Sequence, residues 1–250
     1  MVAINDIKLA VSLLTRLPVR LPESAYTRSA EAAWAYPLVG GLTGALSAVA
    51  ASLALWAGLP AVVAAIFALA AGIIVTGAMH EDGLADCADG FWGGWDREMR
   101  LKIMKDSQIG TYGVLALVLG AALRVSALTV LMGSGSALLA LIAVHVASRA
   151  VMPAMMSSLP NAREGGLSSQ VGRVSAQNAT IAAAFGCVML IVWLGIAAGL
   201  FAAALVLAAL YGWRAVARAK ISGQTGDVIG ASQQIAEVTI LLGAAAFVTA

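Results

Sequence analysis

Apolar residues run in long blocks along this chain, and polar residues gather in the stretches between them. Seven blocks read as hydrophobic helices: Tyr36–Ala57, Ala61–Met79, Thr111–Met132, Ser136–Met156, Ala179–Ala198, Leu200–Trp213 and Val238–Ala250. A helix needs roughly 20 apolar residues to cross the hydrocarbon core of a bilayer. Most blocks meet that length; the sixth and seventh are short. The sixth ends in Tyr211 and Trp213, residues suited to a membrane interface. The fifth and sixth could also form one interrupted unit, so the expected count is about seven, six to eight. Ahead of the first block, Ile4, Ile7, Val11, Leu14 and Leu17 recur at helical spacing with Lys8 and Arg16 between them. This predicts an interfacial amphipathic segment within residues 1–35, ending its helix at Pro18 and serving as a simple membrane anchor. No strand-like alternation appears. The expected fold is an all-α, polytopic transmembrane helical bundle.

Composition agrees. The chain is 61% hydrophobic and 11% charged, with a mean hydropathy of +0.91, whereas soluble domains are about 45–50% apolar and about 25% charged. The net charge of +2 argues neither for nor against nucleic acid. Its distribution says more. All 15 Lys and Arg except Arg124 and Arg149 fall in alternate connections, and the connections at Gly58–Pro60, Gly133–Gly135 and Ala198–Gly199 are short and uncharged. The positive-inside rule then makes the charged side, and the N-terminus, cytoplasmic. The acids lie on the same side. The expected organisation is a single integral membrane domain, 1–250, whose cytoplasmic loops at 80–110, 158–178 and 214–234 form the active site. Cys87 and Cys187 form neither a disulfide framework nor a metal-binding pattern.

The second block runs into His80-Glu81-Asp82-Gly83-Leu84-Ala85-Asp86-Cys87-Ala88-Asp89-Gly90. On a helix, Asp82, Asp86 and Asp89 share one face. Like charges at this spacing repel, and no Lys or Arg is interleaved. A divalent cation resolves the conflict, and carboxylate oxygens suit Mg²⁺ or Mn²⁺. A solvated acidic face is the plainer alternative. The following Phe91-Trp92-Gly93-Gly94-Trp95 reads as a turn with interface aromatics. Lys102, Lys105 and Asp106 follow; the lysines could bind phosphate or simply set topology.

A second polar cluster precedes the last block: Ser222-Gly223-Gln224-Thr225-Gly226-Asp227-Val228-Ile229-Gly230. Backbone amides of such a loop can cradle phosphate, although a cap and turn would use the same glycines. If a helix begins near Asp227, then Asp227 and Gln234 share a face with Glu237 close by, making Asp227 a candidate metal or substrate ligand. Arg124 and Arg149 stand inside apolar blocks. Intramembrane arginine is costly enough to point to a polar cavity. Snorkelling accounts for Arg149 acceptably and for Arg124 less well. His145 lies one turn from Arg149 and could share an internal polar site with it.

Taken together, His80–Asp86, then Ile103-Met104-Lys105-Asp106-Ser107 leading to Gly110-Thr111-Tyr112-Gly113, then Gly223–Asp227, closely resemble the cobalamin synthase family, also called adenosylcobinamide-GDP ribazoletransferase. The strings Leu13–Pro18, Tyr36–Gly40 and Asn161–Leu167 are similar to that family too, and the match in order and spacing covers nearly the whole chain. Cys87 stands where the family would be expected to carry a small hydroxyl residue.

The resemblance implies a Mg²⁺-dependent transferase in cobalamin biosynthesis. It would join adenosylcobinamide-GDP to α-ribazole, or to its 5′-phosphate, and release GMP. It also implies residence in a prokaryotic cytoplasmic (inner) membrane with the site facing the cytoplasm. Lipid and other cobamide-assembly enzymes would be its surroundings, nucleic acid would not be a partner, and Gly40, Gly41, Gly44, Gly226 and Gly230 leave a homo-oligomer open. On this reading Asp82, Asp86, Asp89 and Asp227 hold metal, with Glu81 as an outer or extra ligand. His80 or a carboxylate such as Asp82 accepts the nucleoside proton. Lys102, Lys105 and Arg163 contact phosphate, and Asp106, Arg149, Gln224, Thr225, Gln234 and Glu237 complete substrate binding.

Two other classes fit parts of the pattern. A different membrane phosphoalcohol or prenyl-diphosphate transferase would keep the metal but change the substrate. The Asp-Gly…Ala-Arg pattern of the CDP-alcohol enzymes is not completed after Ala85 or Ala88, and a second paired-acid motif of prenyltransferase type is missing. A transporter would carry acids at mid-membrane in repeated halves, and no repeat is visible.

Overall fold

A computed structural model describes residues 2–133 and 137–249, and every regular element among them is a helix. α1 (Val2–Leu14) leads through two 3₁₀ turns, Glu23–Arg28 and Glu31–Ala35, into α2 (Tyr36–Trp56) and α3 (Ala61–Thr76). α4 (Met79–Gly93) and α5 (Arg97–Ile103) carry the acidic motif and the basic segment after it. α6 (Thr111–Gly133), α7 (Ala137–Ser158), α8 (Leu167–Val171), α9 (Ala176–Leu194), α10 (Ile196–Ile221) and α11 (Gly226–Thr249) complete the order. Six of these helical segments are long and apolar enough to cross a bilayer, and α3 with α4 gives a seventh if the bent pair is one span. The expected multi-pass helical bundle is therefore present. The Gly133–Gly135 connection and the limits Ser136 and Ala250 fall partly or wholly outside the described residues.

Several boundaries differ from the hydrophobic pattern, for physical reasons. α10 continues past Trp213 to Ile221, and α11 begins at Gly226 rather than Val238. Gln233, Gln234 and Glu237, which break the apolar pattern at the start of α11, are buried and bonded to other helices, so they need no loop. All of 80–93 is likewise helix rather than loop, and Phe91, Trp92 and Gly93 lie inside α4 rather than in a turn. α1 stops at Leu14, short of Pro18. The Thr15 hydroxyl donates to the Val11 carbonyl at 2.8 Å and accepts from the Leu17 amide at 3.2 Å, which closes the helix. α1 also buries Asp6, Leu9, Ala10 and Leu14. Asp6 accepts from Arg28 at 3.2 Å and from the Trp34 indole at 3.3 Å, tying the segment to the bundle.

α7 is the most enclosed crossing, with 83% of its apolar window buried. α2 lies directly on it: a Cβ at Gly44 would fall 2.7 Å from the Leu141 carbonyl oxygen. Small residues permit such backbone approach, so Gly40 and Gly44 are spent on packing within the chain. α3 and α4 meet at an 89° bend. Gly77 (φ +67°) and Ala78 (φ +60°) make it, both in the left-handed region that disfavours helix continuation. The bend carries α4 between α6 and α11. One end of the bundle thus gathers α4, the C-terminal end of α7, the segment through α8, and the start of α11.

Candidate active site

α4 and α11 touch at Gly83. A Cβ there would lie 2.7 Å from the Asp227 carbonyl oxygen and 2.9 Å from its Cα. Only a residue without a side chain lets the turn bearing Asp82 rest on the first turn of α11. Gly83→Ala should therefore force the helices apart, costing about 1–3 kcal/mol as an overpacked contact does. The expected result is a lower unfolding temperature in detergent together with reduced activity. Wild-type values of both would show that the site does not depend on this approach.

Asp227 is held by its own surroundings. Thr225 donates to Asp227 Oδ2 at 3.0 Å and accepts from the Val228 amide at 3.4 Å, capping α11. Arg163 Nη2 donates to the same carboxylate at 3.2 Å, while its buried Nη1 has no partner among the described residues. The Arg163 segment is pinned by a short backbone bridge: the Gln224 amide donates to the Pro160 carbonyl, and the Ala162 amide to the Gln224 carbonyl, each at 2.8 Å. The Gln224 side chain donates to Asn161 and accepts from Ser168 at 2.6 Å. A cavity of about 160 Å³ opens here, fronted by His80, Asp82, Arg163, Gln224, Thr225 and Asp227.

Asp82 is exposed on this wall and forms no ion pair among the described residues. Asp86, one turn on, is half-buried and experiences Asp82, Asp227 and Asp89 as like charges, with Arg163 opposing them. His80 is 1% exposed, and its Nε2 is buried without a partner among the described residues. Among those residues no three His, Cys, Asp or Glu side chains converge into a ready-made metal cage.

Other expected site residues stand elsewhere. Asp89 accepts from the Gly110 amide at 2.7 Å and from the Gly113 amide at 2.9 Å, so both its oxygens cap the start of α6. Lys102, Lys105 and Asp106 are exposed beyond the cavity wall at the end of α5. Glu81, Arg149, Gln234 and Glu237 belong to a deeper polar network. There Arg124 donates to Glu81 at 3.0 Å and to Glu237 at 3.5 Å. Gln234 donates to Glu81 at 3.1 Å, and Gln233 bonds both Glu237 and Ser148. Arg149 lies 3.2 Å from His145 Nδ1, which Thr43 also approaches at 3.0 Å. Arg149 and His145 do share an internal polar site, and Arg124 pairs with acids from two helices instead of reaching for an interface. His80 joins the two regions, lining both the cavity and the deeper network.

Asn161 had no role in the sequence pattern beyond its place in the Asn161–Leu167 string, and Ser168 lay outside that string; the bonds of both to Gln224 shape the cavity floor. A further signal was Gly165-Gly166, both at positive φ (+81° and +91°), which reverse the chain ahead of α8. Arg97 and Arg100 read as topology charges, yet they cap the end of α10. Arg97 donates to the carbonyls of Ile221 at 3.0 Å and of Ala162, and Arg100 to that of Lys220 at 3.0 Å.

Residues 6–245 match the family described as Cobalamin-5-phosphate synthase. The chain is 44% identical over 247 residues to the adenosylcobinamide-GDP ribazoletransferase of Bradyrhizobium diazoefficiens, covering 98% of this chain and 94% of the relative. It is 43% identical to the protein of that name from Mesorhizobium japonicum, covering 96% and 92%. The Brucella ovis protein of that name is 39% identical, with 96% of each chain covered. No solved structure matches the chain.

Proposed function

Because the chain belongs to the cobalamin-5-phosphate synthase family, we propose that it joins adenosylcobinamide-GDP to α-ribazole, or to its 5′-phosphate, with release of GMP and a requirement for Mg²⁺. The convergence of Asp82 from α4 and Asp227 from α11 on one cavity, with Arg163 beside them, is the observation that carries this reading.

The residues fit a Mg²⁺ site. Mg²⁺ commonly takes one or two protein carboxylates and completes its shell with water and substrate phosphate, so it needs no full protein cage. Asp82 and Asp227 would hold it, with Asp86 alongside. Bound there, Mg²⁺ supplies Lewis-acid charge for the phosphate oxygens. The unpartnered Nη1 of Arg163 offers a donor to a diphosphate oxygen. A guanidinium suits that role because of its fixed, always-charged donors.

The ribazole hydroxyl attacks the phosphorus next to the cobinamide. The new P–O bond forms as the bond to the GMP oxygen breaks. The hydroxyl proton passes either to a cavity carboxylate or to His80, which lines the cavity and has an unpartnered Nε2. Arg163 steadies the departing phosphate.

Basic residues around this end of the bundle, including Arg97, Arg100, Arg163 and Lys220, support its facing the cytoplasm of a prokaryote by the positive-inside rule. Purified protein supplied with both substrates and Mg²⁺ is expected to form cobamide and GMP one to one. EDTA should abolish the reaction, and added Mg²⁺ should restore it. Full turnover in EDTA would remove the metal from this account.

A further inference from the structure

The phosphate chemistry uses only part of the cavity wall. Another part is built by Leu14, Tyr36, Met79, Met152, Met156 and Val171, drawn from α1, α2, α4, α7 and α8. All but Met79 are buried. Five helices contribute these side chains to one face of a cavity of about 160 Å³, so the apolar wall is a formed part of the same site.

We propose that this methionine-lined wall receives the nucleobase of the acceptor, a flat and weakly polar benzimidazole, and governs which bases are joined. The proposal rests on the reading above that the acceptor is a ribazole. A nucleoside whose hydroxyl approaches Asp82 and Asp227 must lodge its base elsewhere in the same cavity, and the apolar wall is what the cavity supplies. A guanine base would demand partners for the donors and acceptors along its edge, because unpaired polar groups are costly to bury. Of the polar groups nearby, the Gln224 amide is engaged with both Asn161 and Ser168. Benzimidazole makes little such demand. Methionine is unbranched and polarisable, pairs favourably with aromatic rings, and adapts to varied shapes. Met152 and Met156 stand one helical turn apart on α7, and Met79 faces the same cavity from α4.

The test is a change in acceptor preference. Met156→Phe narrows the wall; Met79→Phe does the same from a half-buried position and serves if the first variant fails to fold. kcat/KM would be measured for α-ribazole and for the riboside of unsubstituted benzimidazole, at saturating adenosylcobinamide-GDP. The ratio of the two values is expected to shift against the dimethylated base by about tenfold or more, the scale on which apolar pockets discriminate small groups. The KM for adenosylcobinamide-GDP should hold. Equal losses with both acceptors, or a rise in the donor KM in place of the ratio change, would overturn the assignment. A wild-type protein that used neither riboside would overturn the reaction itself, and this assignment with it.

Discussion

Asp82→Ala is expected to fold normally and to lose at least about a hundredfold in kcat/KM. Removing groups that merely support a metal ligand costs about 10–100-fold, so a residue proposed to hold the cation directly should reach the upper end or beyond. The structure also indicates why folding should survive. Asp82 is exposed on the cavity wall and forms no ion pair among the described residues, so its removal leaves no buried partner stranded. Asp227→Asn should lose activity too, with some loss of stability, because Arg163 and Thr225 both bond its carboxylate. Assays at rising Mg²⁺ would separate the causes: partial recovery at high Mg²⁺ points to weakened metal binding. Near-wild-type turnover by a folded Asp82→Ala protein would remove the acidic face from the chemistry.

Arg124→Ala should be the most damaging substitution for stability. Arg124 is 2% exposed and bonds Glu81 of α4 and Glu237 of α11, the two helices that bring Asp82 and Asp227 together. Deleting one member of a buried charge cluster leaves uncompensated charge, at a cost of about 3–5 kcal/mol. The variant is expected to give little folded protein, and what remains should unfold at a much lower temperature in detergent. Arg124→Lys keeps the charge but loses the planar guanidinium, whose Nη1 meets both carboxylates while Nε holds the Gly120 carbonyl, and should lie between. Normal yield and thermal stability for Arg124→Ala would mean that these acids are satisfied by other groups.

Much of this was legible in the sequence because membrane helices announce themselves by length and hydropathy. Tyr36–Trp56 and Thr111–Gly133 appear almost as the pattern drew them. The pattern failed where polar residues are buried. Gln233, Gln234 and Glu237 look like the approach to a span, yet they lie within α11 and bond Ser148, Glu81 and Arg124. Hydropathy cannot register a charge whose partner is distant in sequence.

The same limit governs the site. Asp82 and Asp227 stood out as acids in an acid-poor chain, but the face shared by Asp82, Asp86 and Asp89 concealed a division of labour. Asp89 reaches the amides of Gly110 and Gly113, a contact no local spacing reveals. Lys102 and Lys105 are close in sequence to the acids but do not line the cavity, because α4 runs on to Gly93 and α5 packs at that far end, against Gly90 and Gly94. Gly83 is the reverse case: in sequence it looks like a helix weakness, and its purpose shows only against the Asp227 backbone.

The most direct test is to locate the donor. A structure determined with adenosylcobinamide-GDP and Mn²⁺ in place of Mg²⁺ should place the metal between Asp82 and Asp227, with the diphosphate against Arg163. Metal and diphosphate bound at Lys102 and Lys105, away from this cavity, would contradict the account.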